Sequence, residues 1–150
     1  MGGFAKEGRI PWHYKEDFIH FKNTTMGNAC VMGRNTYNEI NEFLGEAALK
    51  SVLPGRTCYV ISTTLIELPN ATVIKSLDEI TSDVFVIGGA QLYEAALQVA
   101  STVYLTIINK NFSCDVFFDV QYVQEHFTST TESVQLCEDV ILNIYYRSDI

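Results

Sequence analysis

Short apolar runs alternate along the chain with stretches whose apolar residues recur three or four apart. Ala29 to Met32, Thr57 to Ile61, Ala71 to Lys75 and Val84 to Ile87 are bounded by Gly, Pro, Asn or Ser and read as strands. Between them, residues 15–25, 34–40, 77–80 and 90–97 carry the helical period, and Ala47 to Lys50 is a further short helical candidate. Leu53-Pro54-Gly55-Arg56 is a turn, and Met1 to Gly8 reads as a mobile, glycine-rich loop. Val103 to Ile108 is another strand. Phe127 to Leu136 and Val140 to Tyr146, joined through Cys137-Glu138-Asp139, predict an antiparallel hairpin on the edge of the sheet. The order β-α-β-α-β followed by a hairpin predicts an α/β fold in one domain over residues 1–150, its sheet mostly parallel with an antiparallel C-terminal end.

Within the first helix the period places Asp17, Phe18, Phe21 and Thr25 on one face and Glu16, His20 and Asn23 on the other. A carboxylate beside two phenylalanines needs a partner, because burial disfavours its charged form. Alternatively, Asp17 simply flanks the start of the helix, where an acid is favourable in any case.

Composition narrows the classes. With 47% hydrophobic and 19% charged residues, the chain has enough apolar surface to fold around a core. Its net charge of −8 opposes general binding to nucleic acid or to an anionic membrane, so an anionic ligand must find a local positive cluster. Cys30, Cys58, Cys114 and Cys137 show no C-x-x-C spacing and are expected as reduced thiols in a cytoplasmic protein. No apolar run approaches the roughly 18 residues of a membrane span, and no signal-peptide pattern opens the chain.

Two glycine-bearing strand ends suit phosphate. Gly33-Arg34-Asn35-Thr36 offers a guanidinium, a hydroxyl and backbone amides at a helix start, although a capped helix with a solvated arginine has the same sequence. Gly88-Gly89-Ala90, after the most apolar strand, lets a ligand approach the backbone, as do many tight turns. No G-x-G-x-x-G fingerprint is present.

Five segments in order now resemble the dihydrofolate reductase family over nearly the whole chain. They are Ile10-Pro11-Trp12 through Asp17 to Phe21-Lys22, Val31 to Thr36, Leu53 to Arg56, Val86 to Tyr93, and Val103 to Thr106. The resemblance implies a three-layer α/β/α sandwich and NADPH-dependent reduction of dihydrofolate, the hydride passing from nicotinamide C4 to substrate C6 and a proton reaching N5. It implies that Asp17 pairs with the ring nitrogen and 2-amino group of the pteridine, that Thr106 hydrogen-bonds Asp17 from a facing strand, and that a water near Trp12 relays the proton. Ile10, Phe18 and Phe21 would enclose the pteridine and aminobenzoyl rings, with Ile87 and Tyr93 completing the pocket, and Arg56 would hold the α-carboxylate of the folate tail. The alternative for Arg56 is a surface arginine after a Pro-Gly turn. For NADPH, the resemblance places Arg34, Ser62 and Thr63 near the 2′-phosphate and Thr36, Gly88, Gly89, Ala90 and Gln91 near the pyrophosphate, with Lys75 and Leu92 alongside. It also implies a cis Gly88–Gly89 peptide, a mobile loop over residues 2–10, susceptibility to antifolate inhibitors, and a cytoplasmic monomer in one-carbon metabolism.

Two departures stand out. The family begins with a strand of about ten residues ahead of the point where this chain starts, at the centre of the sheet, so either that strand is missing or another segment fills its place. Asn41 to Val52 also forms an extension beyond what the small bacterial enzymes need. Alternative readings are a pyrimidine reductase of riboflavin synthesis, which shares the fold, and a catalytically inactive nucleotide-binding homologue. Trp12, Asp17 and Arg56 favour the folate enzyme.

Overall fold

The computed structural model describes residues 3–5, 15–45, 52–64, 67–108, 116–117 and 119–148. They fall into two compact units, Lys22–Tyr93 and Met1–Phe21 with Glu94–Ile150.

The first unit is built on a parallel sheet. Strands β2 (Ala29–Gly33), β3 (Thr57–Ile61), β4 (Thr72–Ile74) and β5 (Phe85–Val86) lie in the order β4-β3-β2-β5. In-register pairing sets Cys30 beside Cys58 and Met32 beside Val60. Cys30, Val31, Met32 and Val60 are fully buried, as expected of parallel strands covered on both faces. β5 is shorter than the run from Val84 to Ile87. The Ile87 amide still donates to the Val31 carbonyl at 3.0 Å, but Gly88, at φ 133°, turns the chain out of the ladder.

Helix α2 (Arg34–Leu44) runs a turn beyond Ile40. Its helical pattern continues through Phe43 and Leu44, and Gly45, at φ 55°, ends it by donating its amide to the Asn41 carbonyl. Residues 77–79 form a 3₁₀ turn rather than an α-helix. The Glu79 carboxylate accepts from the amides of Lys75 (2.5 Å) and Ser76 (3.1 Å) and holds the turn tight. The expected helix at Ala47 to Lys50 lies outside the described residues.

The second unit contains an antiparallel sheet in the order β6-β9-β8, made of β6 (Thr102–Ile108), β8 (Phe127–Cys137) and β9 (Val140–Arg147). The expected hairpin is present, but β9 is its central strand, because it pairs with β6 along all seven residues from Thr102 to Ile108. Leu97 of helix α3 (Ala90–Leu97), Val123 and Phe127 form a core on which Val103, Tyr122 and Tyr145 pack. Arg147 seals it: the guanidinium sits 4.6 Å over the Phe127 ring and donates to the carbonyls of Ala100 and Leu97.

Three elements escaped the hydrophobic pattern. Helix α4 (Val120–His126) starts at Asp119, whose carboxylate accepts from the Tyr122 amide at 3.0 Å. Gly3–Ala5, expected inside a mobile loop, is strand β1, paired antiparallel with β7 (Val116–Phe117). Backbone pairing, which side-chain periodicity does not report, fixes these two short strands. The described strands thus form three hydrogen-bonded sheets: the parallel one, the antiparallel one and the β1–β7 pair.

Candidate functional site

Helix α1 (Lys15–Thr25) carries Glu16 and Asp17 in its first turn, where the helix dipole favours carboxylates. Asp17 nevertheless does more than flank a helix. The Thr106 hydroxyl donates to Asp17 Oδ1 at 3.0 Å, joining residues 89 positions apart. Both side chains are half-buried. Phe21 is half-buried beside them in the chain, and Phe18 is 42% exposed, which leaves an apolar ring surface next to a fixed acceptor. Such a carboxylate, oriented by one donor, retains lone pairs for two adjacent N–H groups of a planar ligand. Trp12 and Ile10 lie outside the described residues.

In the unit formed by Lys22–Tyr93, the ends of β2 and β5 meet through backbone. The Gly33 amide donates to the Gly88 carbonyl at 2.7 Å, and the Tyr93 amide closes the first turn of α3 on the Gly89 carbonyl at 2.9 Å. The Gly88–Gly89 peptide is cis. A Cβ at Gly88 would stand 2.9 Å from Thr36 Oγ1 and 3.6 Å from the Tyr93 hydroxyl oxygen, so only glycine fits between them. Burial pushes the Tyr93 hydroxyl up to about 12, which keeps it neutral in all ordinary conditions. Thr36, Gly88, Gly89 and Tyr93 are thereby brought together, with Ile87 immediately before them and Ala90, Gln91 and Leu92 in the opening turn of α3.

The cations are placed by turns and helix starts. Arg34, exposed as the first residue of α2, donates from Nε to Asn38 Oδ1 at 3.1 Å. Ser62, just past β3, accepts from the Thr64 amide at 3.3 Å, while Thr63 and Lys75 are exposed at the ends of β3 and β4. Arg56 is held by its own turn, donating from Nε to the Pro54 carbonyl at 3.2 Å and from Nη1 to Thr25 Oγ1 at 3.2 Å. Gly55 takes φ 83°, a conformation in which a β-carbon is strained. Arg56 is therefore an oriented, half-buried guanidinium.

One cluster was not anticipated from the sequence. Tyr37 donates its hydroxyl to Asn70 Oδ1 at 2.5 Å, and Asn70 Nδ2 donates to Asn41 Oδ1 at 2.8 Å. Tyr37 and Asn41 are one turn apart on α2, a spacing the helical period makes visible. Asn70 follows Pro69 and reads only as a turn residue. Among the described residues, no group of three or more His, Cys, Asp or Glu is arranged to hold a metal ion.

The sequence model of dihydrofolate reductase matches residues 2–139. Dihydrofolate reductase type 9 of Escherichia coli is 31% identical over 95% of this chain and 87% of its own. Dihydrofolate reductase of Ureaplasma parvum serovar 3 is 25% identical over 96% of this chain and 89% of its own. Among solved structures, dihydrofolate reductase from Enterococcus faecalis complexed with NADP(H) and RAB-propyl superposes with a TM-score of 0.80 over 97% of this chain and 89% of that one, at 23% identity.

Proposed function

Since the chain belongs to the dihydrofolate reductase family, we propose that it reduces 7,8-dihydrofolate to 5,6,7,8-tetrahydrofolate at the expense of NADPH, as an enzyme of one-carbon metabolism. The observation that carries this reading is the hydrogen bond from Thr106 to Asp17. It fixes one carboxylate beside exposed aromatic surface, as recognition of a flat ring with neighbouring N–H donors requires.

In this account Asp17 accepts from the pteridine ring nitrogen and 2-amino group, and Thr106 keeps the carboxylate aimed. Phe18 and Phe21, with Ile10, enclose the rings, and Arg56 pairs with the α-carboxylate of the glutamate tail. Asp17 polarises the ring rather than protonating N5, a transfer assigned to a water near Trp12. The nucleotide is assigned to the other group of residues, because side-chain-free backbone at Gly33, Gly88 and Gly89 lies beside the first turns of α2 and α3. Thr36, Gly88, Gly89, Ala90 and Gln91 would hold the pyrophosphate, Arg34, Ser62 and Thr63 the 2′-phosphate, and Lys75, Leu92, Ile87 and Tyr93 would flank the two ligands. Bound NADPH supplies the hydride.

A bound antifolate would use the same carboxylate. No described helix is long and apolar enough to cross a membrane. The reading includes a monomeric enzyme acting in the cytoplasm.

The test is NADPH consumption with dihydrofolate and, separately, with the ribosylaminopyrimidine substrate of riboflavin synthesis, with products identified. Tetrahydrofolate formation from the first alone is expected. Turnover of the pyrimidine instead would assign the chain to the riboflavin branch, and nucleotide binding with neither turnover would make it a binding protein.

A further inference from the structure

Asn70 is a buried amide, 9% exposed, at the entrance to β4. Its Oδ1 accepts from the Tyr37 hydroxyl at 2.5 Å, its Nδ2 donates to Asn41 Oδ1 at 2.8 Å, and its backbone carbonyl accepts from the Val52 amide at 3.1 Å. Asn41 and Val52 are the two ends of the segment expected from the sequence to be an extension. A single residue therefore ties both ends together.

Each tie leads to a ligand-facing group. Tyr37, 5% exposed, adjoins Thr36 in α2, and Thr36 Oγ1 faces Gly88 across the space kept by glycine. Because Tyr37 and Asn41 stand one turn apart, bonds to both fix the roll of α2 about its axis, and with it the direction of Thr36. On the other side, buried Val52 runs into Leu53, whose carbonyl accepts the Arg56 amide at 3.2 Å and begins the turn that aims the guanidinium.

We propose that Asn70 is a positioning residue: its buried side-chain amide, held between Tyr37 and Asn41, sets the first turn of α2 and so tunes affinity for the nucleotide phosphates without touching the ligand, whereas the tie to Val52 is made by its backbone and does not depend on the side chain. The inference rests on the role proposed above for Thr36. Hydrogen bonds of this kind are directional, and removing Asn70 leaves a buried tyrosine hydroxyl without this partner, so the helix gains by rolling toward another.

The experiment compares wild type, Asn70→Ala and Tyr37→Phe. It measures NADPH affinity by direct binding, and KM and kcat for dihydrofolate and for a dihydropterin lacking the aminobenzoylglutamate tail. Asn70→Ala should weaken NADPH about tenfold, the scale of one lost buried hydrogen bond. It should leave kcat and the KM of both pterins within about twofold, since the Val52 amide still donates to the backbone carbonyl at position 70 and the turn bearing Arg56 is kept, a selectivity that general loosening does not give. Tyr37→Phe removes the donor to Asn70 Oδ1 and should weaken NADPH in the same way. If Asn70→Ala does not fold, Tyr37→Phe decides: an unchanged NADPH affinity overturns the proposal. A KM for dihydrofolate that rises as much as NADPH affinity falls also overturns it. A wild-type chain that binds NADPH but never reduces dihydrofolate refutes the catalytic reading, while the binding measurements still judge Asn70.

Discussion

Asp17 and Gly88 represent two regions proposed to recognise ligands by opposite means. At Asp17 a charged side chain does the work, and its aim comes from a hydroxyl 89 residues away. At Gly88 the absence of a side chain does the work, and the neighbours are brought in by strands and helices that adjoin it in sequence or register. The first arrangement is sensitive to chemistry at constant shape and the second to shape at constant chemistry. Substitutions can separate them.

The largest effect is expected where the carboxylate becomes an isosteric amide. Asp17→Asn still accepts from Thr106 and should fold, but it offers the pteridine one acceptor in place of two. A loss of about 2–4 kcal/mol, roughly 30- to 1000-fold in kcat/KM for dihydrofolate, is expected. Near-normal turnover in a steady-state assay would remove Asp17 from the site.

Next is the shape test. Gly88→Ala places a Cβ 2.9 Å from Thr36 Oγ1 on a backbone at φ 133°, and should cost about 1–3 kcal/mol of stability together with most nucleotide affinity. Gly89→Ala, whose Cβ would meet the same oxygen at 3.5 Å, should be milder. Thermal melts and NADPH titrations of both variants check the order, and the reverse order would show that the packing around Gly88 is misread.

A smaller, selective effect belongs to Arg34. Its removal in Arg34→Ala should weaken NADPH about tenfold and NADH hardly at all, because only NADPH carries the 2′-phosphate. Equal losses would place the guanidinium on the shared pyrophosphate.

The smallest effect touches stability alone. Burial, reinforced by the neighbouring Cys58, raises the Cys30 thiol from 9.0 to about 11. The folded chain then holds this proton more tightly than the unfolded one, so the contribution is complete below pH 9 and is lost as pH rises through 11. Urea melts at pH 8 and pH 11 should show a shallower alkaline loss for Cys30→Ala than for wild type, and parallel losses would discount the buried thiol.

How far the sequence shows these regions depends on the range of the interactions. β2 and β3 are visible as apolar runs because both faces are covered, and the glycine turns are visible because their conformation selects the residue. The end of α2 is not legible in the pattern, because Asn41 and Glu42 break the apolar face before Phe43 and Leu44 resume it. β1 and β7 carry no period at all. The bond from Thr106 to Asp17 has no local signature either, and only the family resemblance indicated it. Asn70 was missed for the opposite reason: Pro69-Asn70 has an obvious local reading as a turn, which conceals a buried amide with partners on α2 and at Val52.

Binding of a 2,4-diaminopyrimidine antifolate tests the central claim most directly, because the ligand presents its donors to the carboxylate without any chemical step. Titrated into the NADPH complexes of wild type and Asp17→Asn, it should bind the variant about a hundredfold more weakly, while NADPH affinity stays unchanged. Equal antifolate affinity in the two proteins would contradict the assignment of Asp17 as the carboxylate that recognises the ring.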